Sequence, residues 1–432
     1  MKINKWTKVL CSAGLVTLPM LASADETKNF VQTAVSATTL SGYVDTTAFW
    51  APGTGNMNQP GLVGGQGATV LDAFSLNVVS LTLEKALDES EWSSGYKVQM
   101  LMGPGAAYRG TGSVVDFNST DFAFNEAYIA LRVPVGNGLD FKVGQFGTFN
   151  GYESYDTYKD PTWSRSYGFY IESSAHTGIA ASYKFADWIS ASAGIANSGG
   201  FNNQVDGKSS IESKKAYMGI ITLTAPESMG FLKGATLSGG ITSADALLSG
   251  GGTTTTPYQG NISGQPLPAG TTDYNQVNYY VGATIPLPIT GLSLGLAYDY
   301  TTGSAFKDSY ANAFAQYIVW QATEKLKLSA RSDFAWGSNA PEDGVNAYGD
   351  TETTQGVFGY TSAGDANQLW SLTGTIDYAL WKNVISRFEA RWNHCLTGDK
   401  PFGATTAATP GEPLSGGLKN DFSIGVNFIY MF

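Results

Sequence analysis

The stretch KNDFSIGVNFIYMF, residues 419–432, decides the fold that we predict for this chain. Large apolar residues occupy every second position, and small or polar residues lie between them. The apolar positions are Phe422, Ile424, Val426, Phe428, Tyr430 and Phe432. Such alternation predicts a β-strand whose two faces meet different surroundings. A membrane tolerates no open strand edge, so we expect this strand to close a barrel against the first one. We assign barrel closure and assembly to Phe428, Tyr430 and Phe432.

The amino-terminal residues are typical of a secretory signal peptide. Three lysines lie within the first eight residues, residues 9–21 are mostly apolar, and residues 22–24 read Ala-Ser-Ala, a small-residue cleavage site. The apolar segment is too short for a helix that spans a membrane. We therefore expect the chain to be exported and cleaved near Ala24.

The rest of the chain has the composition of a single β-rich domain. We predict a signal peptide over 1–24, a short periplasmic lead over 25–38 and one β-barrel domain over 39–432. The 52 glycines, 13% aromatic and 14% charged residues suit strands and turns better than a soluble helical enzyme. The net charge of −11 provides no basic surface for nucleic acid, so we expect no nucleic-acid partner.

Alternating segments recur along the chain and predict sixteen strands. The predicted strands are 39–50, 73–86, 95–103, 122–134, 139–147, 175–186, 188–197, 214–225, 233–243, 274–286, 291–301, 310–322, 325–337, 367–380, 383–394 and 419–432. Tight turns alternate with long polar loops between them. This pattern is typical of transmembrane antiparallel β-barrels with short periplasmic turns and long extracellular loops.

Charged residues share one face of several predicted strands. In 383–394, Arg387, Glu389 and Arg391 oppose an apolar face. Because such a number of charges is solvated more easily than it is buried, we expect a wet interior. The predicted lumen-wall residues are Glu126, Arg132, Lys142, Lys184, Arg331, Asp333, Arg387, Glu389 and Arg391. Opposed charges across such a lumen would create a transverse field that favours small polar solutes.

Several short stretches carry a family resemblance. They are SGYVD (41–45), LEK (83–85), EAY (126–128), RVPVGNG (132–138), KVG (142–144), GYE (151–153), SRSYG (164–168) and HTG (176–178). These stretches resemble those of the OmpL-like family of bacterial outer-membrane β-barrel porins. The resemblance implies a channel in the outer membrane of a Gram-negative-type cell, surrounded by outer-membrane lipid. It also implies that the last strand is the signal for the barrel-insertion machinery.

A barrel of about sixteen strands is too wide for its own side chains to fill, which predicts passive diffusion of small polar solutes and ions. The loop 148–174 is rich in aromatic residues that would be costly to expose, so we expect it to fold into the lumen and narrow it. The predicted constriction residues are Tyr152, Glu153, Tyr155, Asp156, Tyr158, Asp160, Trp163 and Arg165. A loop packed on itself outside the barrel is the alternative.

Other functions remain open at this point. The aromatic loop would also suit a carbohydrate-selective channel, and a structural or surface-binding barrel is a further alternative. The two histidines, His176 and His394, lie in no catalytic motif, so we expect no enzyme activity. His394 beside Cys395 is a weak metal pair, and we expect no metal and no cofactor. By analogy with porins of this size, a homotrimer is possible.

Overall fold

The protein is described by a computed structural model, which covers residues 37–52, 73–107, 122–173, 175–197, 215–246, 274–303, 310–337, 368–397, 402–404 and 416–432. Sixteen strands form a closed antiparallel barrel. They are β1 (Thr39–Trp50), β2 (Ala73–Lys85), β3 (Ser93–Met102), β4 (Phe122–Val133), β5 (Leu139–Gly147), β6 (Ala175–Ala186), β7 (Ile189–Asn197), β8 (Lys215–Thr224), β9 (Thr236–Ala246), β10 (Tyr274–Pro286), β11 (Leu292–Gly303), β12 (Tyr310–Gln321), β13 (Leu326–Gly337), β14 (Gln368–Trp381), β15 (Val384–Cys395) and β18 (Asn420–Met431). Two short strands, β16 (Phe402–Ala404) and β17 (Gly416–Leu418), pair with each other outside the barrel sheet.

The predicted antiparallel barrel of sixteen strands is confirmed, with two local differences. β9 begins at Thr236 rather than at residue 233, because the preceding connection is longer than predicted and contains a turn with Gly234 at φ 79°. The β16–β17 ladder lies in a segment predicted to be loop, and buried Phe402 packs there against Leu369 and Cys395.

The last strand closes the barrel against the first. β18 pairs with β15 on one side and with β1 on the other, in a register that runs from Tyr43 opposite Met431 to Trp50 opposite Ile424. One further residue continues the ladder. The amide of Phe432 donates to the Gly42 carbonyl at 3.0 Å, and the amide of Gly42 donates to the Phe432 carbonyl at 2.9 Å.

Alternation along the strands separates an apolar outer face from a polar inner face. On β15, Phe388 is exposed on the outside while Arg387 and Glu389 are buried on the inside. Exposed aromatic residues such as Trp188 and Trp381 lie at strand ends, where an amphipathic ring suits the membrane interface.

Among the described residues, helical structure is confined to short turns. These are α1 (Pro104–Ala107), η1 (Thr157–Lys159), α2 (Tyr167–Ile171) and η2 (Glu227–Leu232). Over the described ranges, no helix is long and apolar enough to cross a membrane. The predicted signal peptide, residues 1–24, lies outside the described residues.

Candidate functional site

The connection between β5 and β6 lies inside the barrel. We call its described part, residues 148–173, the inserted loop. Every residue in it is buried or half-buried. The loop carries η1 and α2, and it contacts inward-facing side chains on widely separated strands of the barrel.

One side of the inserted loop is bound to β1 and β3. The Tyr43 hydroxyl donates to Asp156 Oδ1 at 3.0 Å, and Gln99 Nε2 donates to the same oxygen at 2.9 Å. Thr157 Oγ1 donates to Asp45 Oδ2 at 3.0 Å. These bonds hold the tip of the loop against the strands near the closure of the barrel.

The first residues of the loop contact β9, β10 and β12. Asn150 Nδ2 donates to Thr242 Oγ1 at 3.1 Å and to Asn278 Oδ1 at 3.0 Å. The ring of Tyr152 stacks on Tyr317 with 4.4 Å between centroids. The loop therefore crosses the lumen instead of following one part of the wall.

Three wall arginines bind the loop from β13 and β15. Arg331 donates from Nη1 to Glu153 Oε1 at 2.9 Å and from Nη2 to the Arg165 carbonyl at 3.0 Å. Arg387 Nη1 donates to the Thr157 carbonyl at 3.1 Å, and Arg391 Nη1 donates to the Arg165 carbonyl at 2.5 Å. Because a guanidinium has five donors in a rigid fork, each arginine can bind the loop and a wall carboxylate together.

Wall carboxylates complete the attachment by accepting loop amides. Glu389 accepts from the Trp163 and Ser164 amides at 2.6 and 2.9 Å, and Asp333 accepts from the Tyr167 amide at 3.1 Å. We call the five charged residues of β13 and β15 that bind the loop the latch. The latch consists of Arg331, Asp333, Arg387, Glu389 and Arg391.

The predicted lumen-wall residues thus divide into two groups. The latch accounts for five of the nine predicted residues, and it contacts the loop directly instead of facing it across water. Glu126, Arg132, Lys142 and Lys184 lie on β4, β5 and β6. Arg132 forms a two-point ion pair with Asp140 at 2.6 and 2.7 Å, and Lys184 pairs with Asp187 in the next turn.

Most of the predicted constriction residues face the wall or the interior of the loop. Asp160 and Arg165 are buried and form an ion pair with each other. Trp163 packs near Phe49 with 6.1 Å between ring centroids, and the Tyr155 hydroxyl donates to the Gly105 carbonyl at 2.5 Å.

Glu153 and Asp156 are held by the contacts already described. The half-buried residues on the remaining surface of the loop include Tyr152, Ser154, Tyr158, Lys159 and Pro161.

Part of the interior is dry, which corrects the expectation of a uniformly wet lumen. Phe146 and Phe149 stack at 6.0 Å and belong to a buried cluster that includes Met218, Ile220 and Tyr280. Small residues on β6 to β9 make room for these rings. Nothing local in the sequence indicates this cluster, because its members lie on strands from β5 to β12 and on the loop and meet only in the folded barrel.

Two carboxyl groups meet where the loop returns to the wall. Glu172 lies next to Asp299 on β11, and their side chains share a hydrogen bond. The pKa of Glu172 is raised well above its ordinary value. Burial is the larger cause, and the charge of Asp299 is the second. Ionising both of two contacting carboxyl groups costs free energy, because their charges repel each other. The pair therefore holds a proton at neutral pH.

Stability is expected to fall as the pH rises above the ordinary pKa of a glutamate. The folded protein keeps a proton on Glu172 that the unfolded chain releases, so the unfolded chain binds fewer protons in that window. Thermal unfolding of wild-type protein and Glu172→Gln should therefore be compared between about pH 5 and pH 9. The loss of Tm at high pH should be smaller in Glu172→Gln, and parallel curves would contradict this assignment.

The histidines and the cysteine form no evident site. His176 is buried beside Phe146, 6.3 Å between ring centroids. His394 lies on the outer face, where it bonds Asn420 Oδ1 at 2.8 Å and stacks on Trp392. Within the described part of the chain, no group of three or more His, Cys, Asp or Glu residues could hold a metal ion.

A sequence model of the family described as "Putative beta-barrel porin-2, OmpL-like" matches residues 37–432. The chain belongs to this family. A search of curated proteins finds no match. Membership in this porin family, together with the closed barrel, indicates a channel rather than an enzyme.

Solved structures of outer-membrane proteins have the same fold as this family member. The outer membrane channel DcaP of Acinetobacter baumannii matches with a TM-score of 0.54 and 12% identity, over 93% of this chain and 99% of that one. An anion-selective porin from Comamonas acidovorans matches at 0.54 and 12%, over 91% and 99%. OmpT of Vibrio cholerae, in a trimer form, matches at 0.52 and 10%, over 91% and 99%. At these identities the similarity establishes the fold alone.

Proposed function

We propose that this porin is an outer-membrane channel for passive diffusion of small polar solutes and ions, and that the inserted loop narrows its lumen. The observation that carries the proposal is the loop's attachment to β1 and β3 on one side and to β9–β15 on the other. A loop fixed at so many points reduces the open cross-section of the barrel permanently. It sets an upper limit on the size of the solutes that pass.

The passage runs along β2 to β5, where charged side chains keep contact with water. Lys97 and Glu126 form an ion pair with side chains 17% and 16% exposed. The latch arginines on β13 and β15 are only 1–2% exposed. Charges that touch water can act on passing solutes, whereas charges enclosed between loop and wall mainly hold the loop.

The proposed setting follows from the signal peptide and the surface of the barrel. The chain is exported, loses residues 1–24 near Ala24 and is inserted by the barrel-insertion machinery. Its apolar outer face contacts outer-membrane lipid. By analogy with OmpT, whose structure is a trimer form, we propose a homotrimer as the assembled state.

Conductance in a planar bilayer tests the proposed function. The mature protein, refolded and inserted, should give stable single-channel steps that rise linearly with salt concentration. Silence from protein that is demonstrably folded would overturn diffusion and favour a structural barrel.

A carbohydrate-selective channel is the second candidate. The half-buried rings of Tyr152 and Tyr158 lie on the remaining surface of the loop, and Lys159 Nζ lies 5.4 Å from the Tyr158 ring centre. Aromatic faces next to polar groups suit stacking on sugars. Saturable conductance that added sugars block would favour this candidate over general diffusion.

A further inference from the structure

The charged groups inside the barrel differ in their access to water. Arg331, Arg387 and Arg391 are enclosed by the loop and make several bonds each. On the β2–β5 side, the side chains of Lys97 and Lys159 are each 17% exposed. A mobile ion in the lumen can therefore contact the second group more readily than the enclosed arginines.

Three lysines from three elements surround Glu126 on β4. Lys97 on β3 forms an ion pair with Glu126 Oε2. Lys142 on β5 and Lys159 on the inserted loop also lie close enough to act on the Glu126 charge. The Glu126 carboxylate thus pairs with Lys97 and lies within electrostatic reach of cations from both wall and loop.

Lys142 has the least satisfied charge of the three. Its ammonium lies 4.7 Å from the centre of the Tyr128 ring, and in the described residues no carboxylate oxygen lies within 4.0 Å of it. Lys159, by contrast, holds Asp156 Oδ2 at 2.6 Å. A cation over an aromatic face keeps much of its capacity to bind an anion.

The groups around Glu126 are those that bind a small oxyanion. One oxygen faces the Lys97 ammonium, and Oε1 accepts the Gly147 amide at 3.3 Å. Ammonium groups and a backbone amide are the donors that proteins direct at carboxylates and phosphates. Glu126 therefore resembles, in position and chemistry, a bound anion supplied by the protein itself.

We propose that Lys97, Lys142 and Lys159 form a subsite for small anions carrying a carboxylate or a phosphate, and that Glu126 is its built-in competitor. The proposal rests on the channel function proposed above and names its solute class. An entering anion competes with Glu126 for the lysine ammonium groups. Glu126 therefore lowers the affinity of the subsite for the anion and allows the anion to leave. Channel conduction requires this balance between entry and release.

The remaining charged groups bring the net charge of the native subsite to about zero. Glu84 on β2 lies directly opposite Lys97 in the strand register, and Asp156 on the loop pairs with Lys159. With Glu126, three carboxylates face three lysines. Removing the Glu126 charge leaves one net positive charge in the pocket, so it should shift selectivity towards anions.

The experiment compares wild-type protein, Glu126→Gln and Lys142→Gln in planar bilayers. Reversal potentials are measured in a KCl gradient, followed by titration with acetate and with inorganic phosphate. Glu126→Gln should raise the permeability of chloride over potassium severalfold and make added anions block the current at lower concentration. Lys142→Gln should shift the reversal potential in the opposite direction.

Glu227→Gln is the matched control, because it removes the same charge from an exposed periplasmic turn. The Glu227 side chain is 83% exposed. It should leave the reversal potential unchanged. If Glu126→Gln or Lys142→Gln conducts with wild-type selectivity, the subsite is refuted while the channel function stands. If wild-type protein does not conduct, the channel function itself fails. Block by acetate alone or by phosphate alone identifies which anion the subsite takes.

Discussion

Replacing Arg331 by alanine is expected to release the inserted loop and enlarge the channel. The guanidinium holds Glu153 and Asp333 together with two loop carbonyls, those of Ser164 and Arg165. Its loss leaves buried Glu153 without its cation and leaves Asp333 only Arg391, at 3.9 Å. Breaking such a buried pair costs about 3–5 kcal/mol. Single-channel conductance should increase, larger sugars should enter vesicles that contain the variant, and the free energy of unfolding should decrease.

Lys233→Ala is the control for this substitution. Lys233 also forms an ion pair, with Glu227, but both side chains are exposed, and exposed pairs contribute only about 0–1 kcal/mol. The control should conduct and unfold like wild-type protein. An Arg331→Ala channel with unchanged conductance and stability would mean that the latch does not hold the loop.

Substitution at the barrel closure is expected to have the second large effect. In Gly42→Val, a Cβ would overlap the Ser80 carbonyl oxygen and lie 2.7 Å from Cζ of Phe432. Real Cβ atoms do not approach that closely, so β1 would have to separate from β2 or from the last strand. Removal of Phe432 would delete the two hydrogen bonds to Gly42 directly. Both changes should lower the yield of folded barrel, measured as heat-resistant migration in gels after refolding.

Gly374→Val is the matched control for the closure variants. Gly374 lies on the outer face of β14, and a Cβ there would meet nothing within 4 Å. A β-branched residue also suits a strand, so this variant should fold at least as well as wild-type protein. If Gly42→Val and Gly374→Val fold equally well, the close approach at Gly42 has no role in assembly.

The strands could be predicted from sequence because their signal is local. Alternation with a period of two is set by the pleat, and it identifies both a strand and its two faces. The start of β9 was predicted three residues early, because nothing local in the sequence shows that Lys233, Gly234 and Ala235 belong to the preceding turn.

The site was only partly predictable, because its contacts join distant residues. The aromatic content of the loop predicted its insertion. Nothing local indicates that Glu389 accepts the Trp163 amide, 226 residues away, or that Arg387 binds the loop carbonyl of Thr157. Lys97 was missed, although Tyr96, Val98 and Met100 alternate with Lys97 and Gln99 and so place Lys97 on the inner face.

The attachment of the loop to late strands has a consequence for the order of folding. The loop is made early in the chain, but the latch lies on β13 and β15 and cannot form until those strands are in place. Contacts of such long sequence separation carry a high loop-closure entropy and slow folding. Until the latch forms, the aromatic residues of the loop lack their partners and are prone to aggregation. The nascent barrel should therefore depend on chaperones until its last strands have assembled.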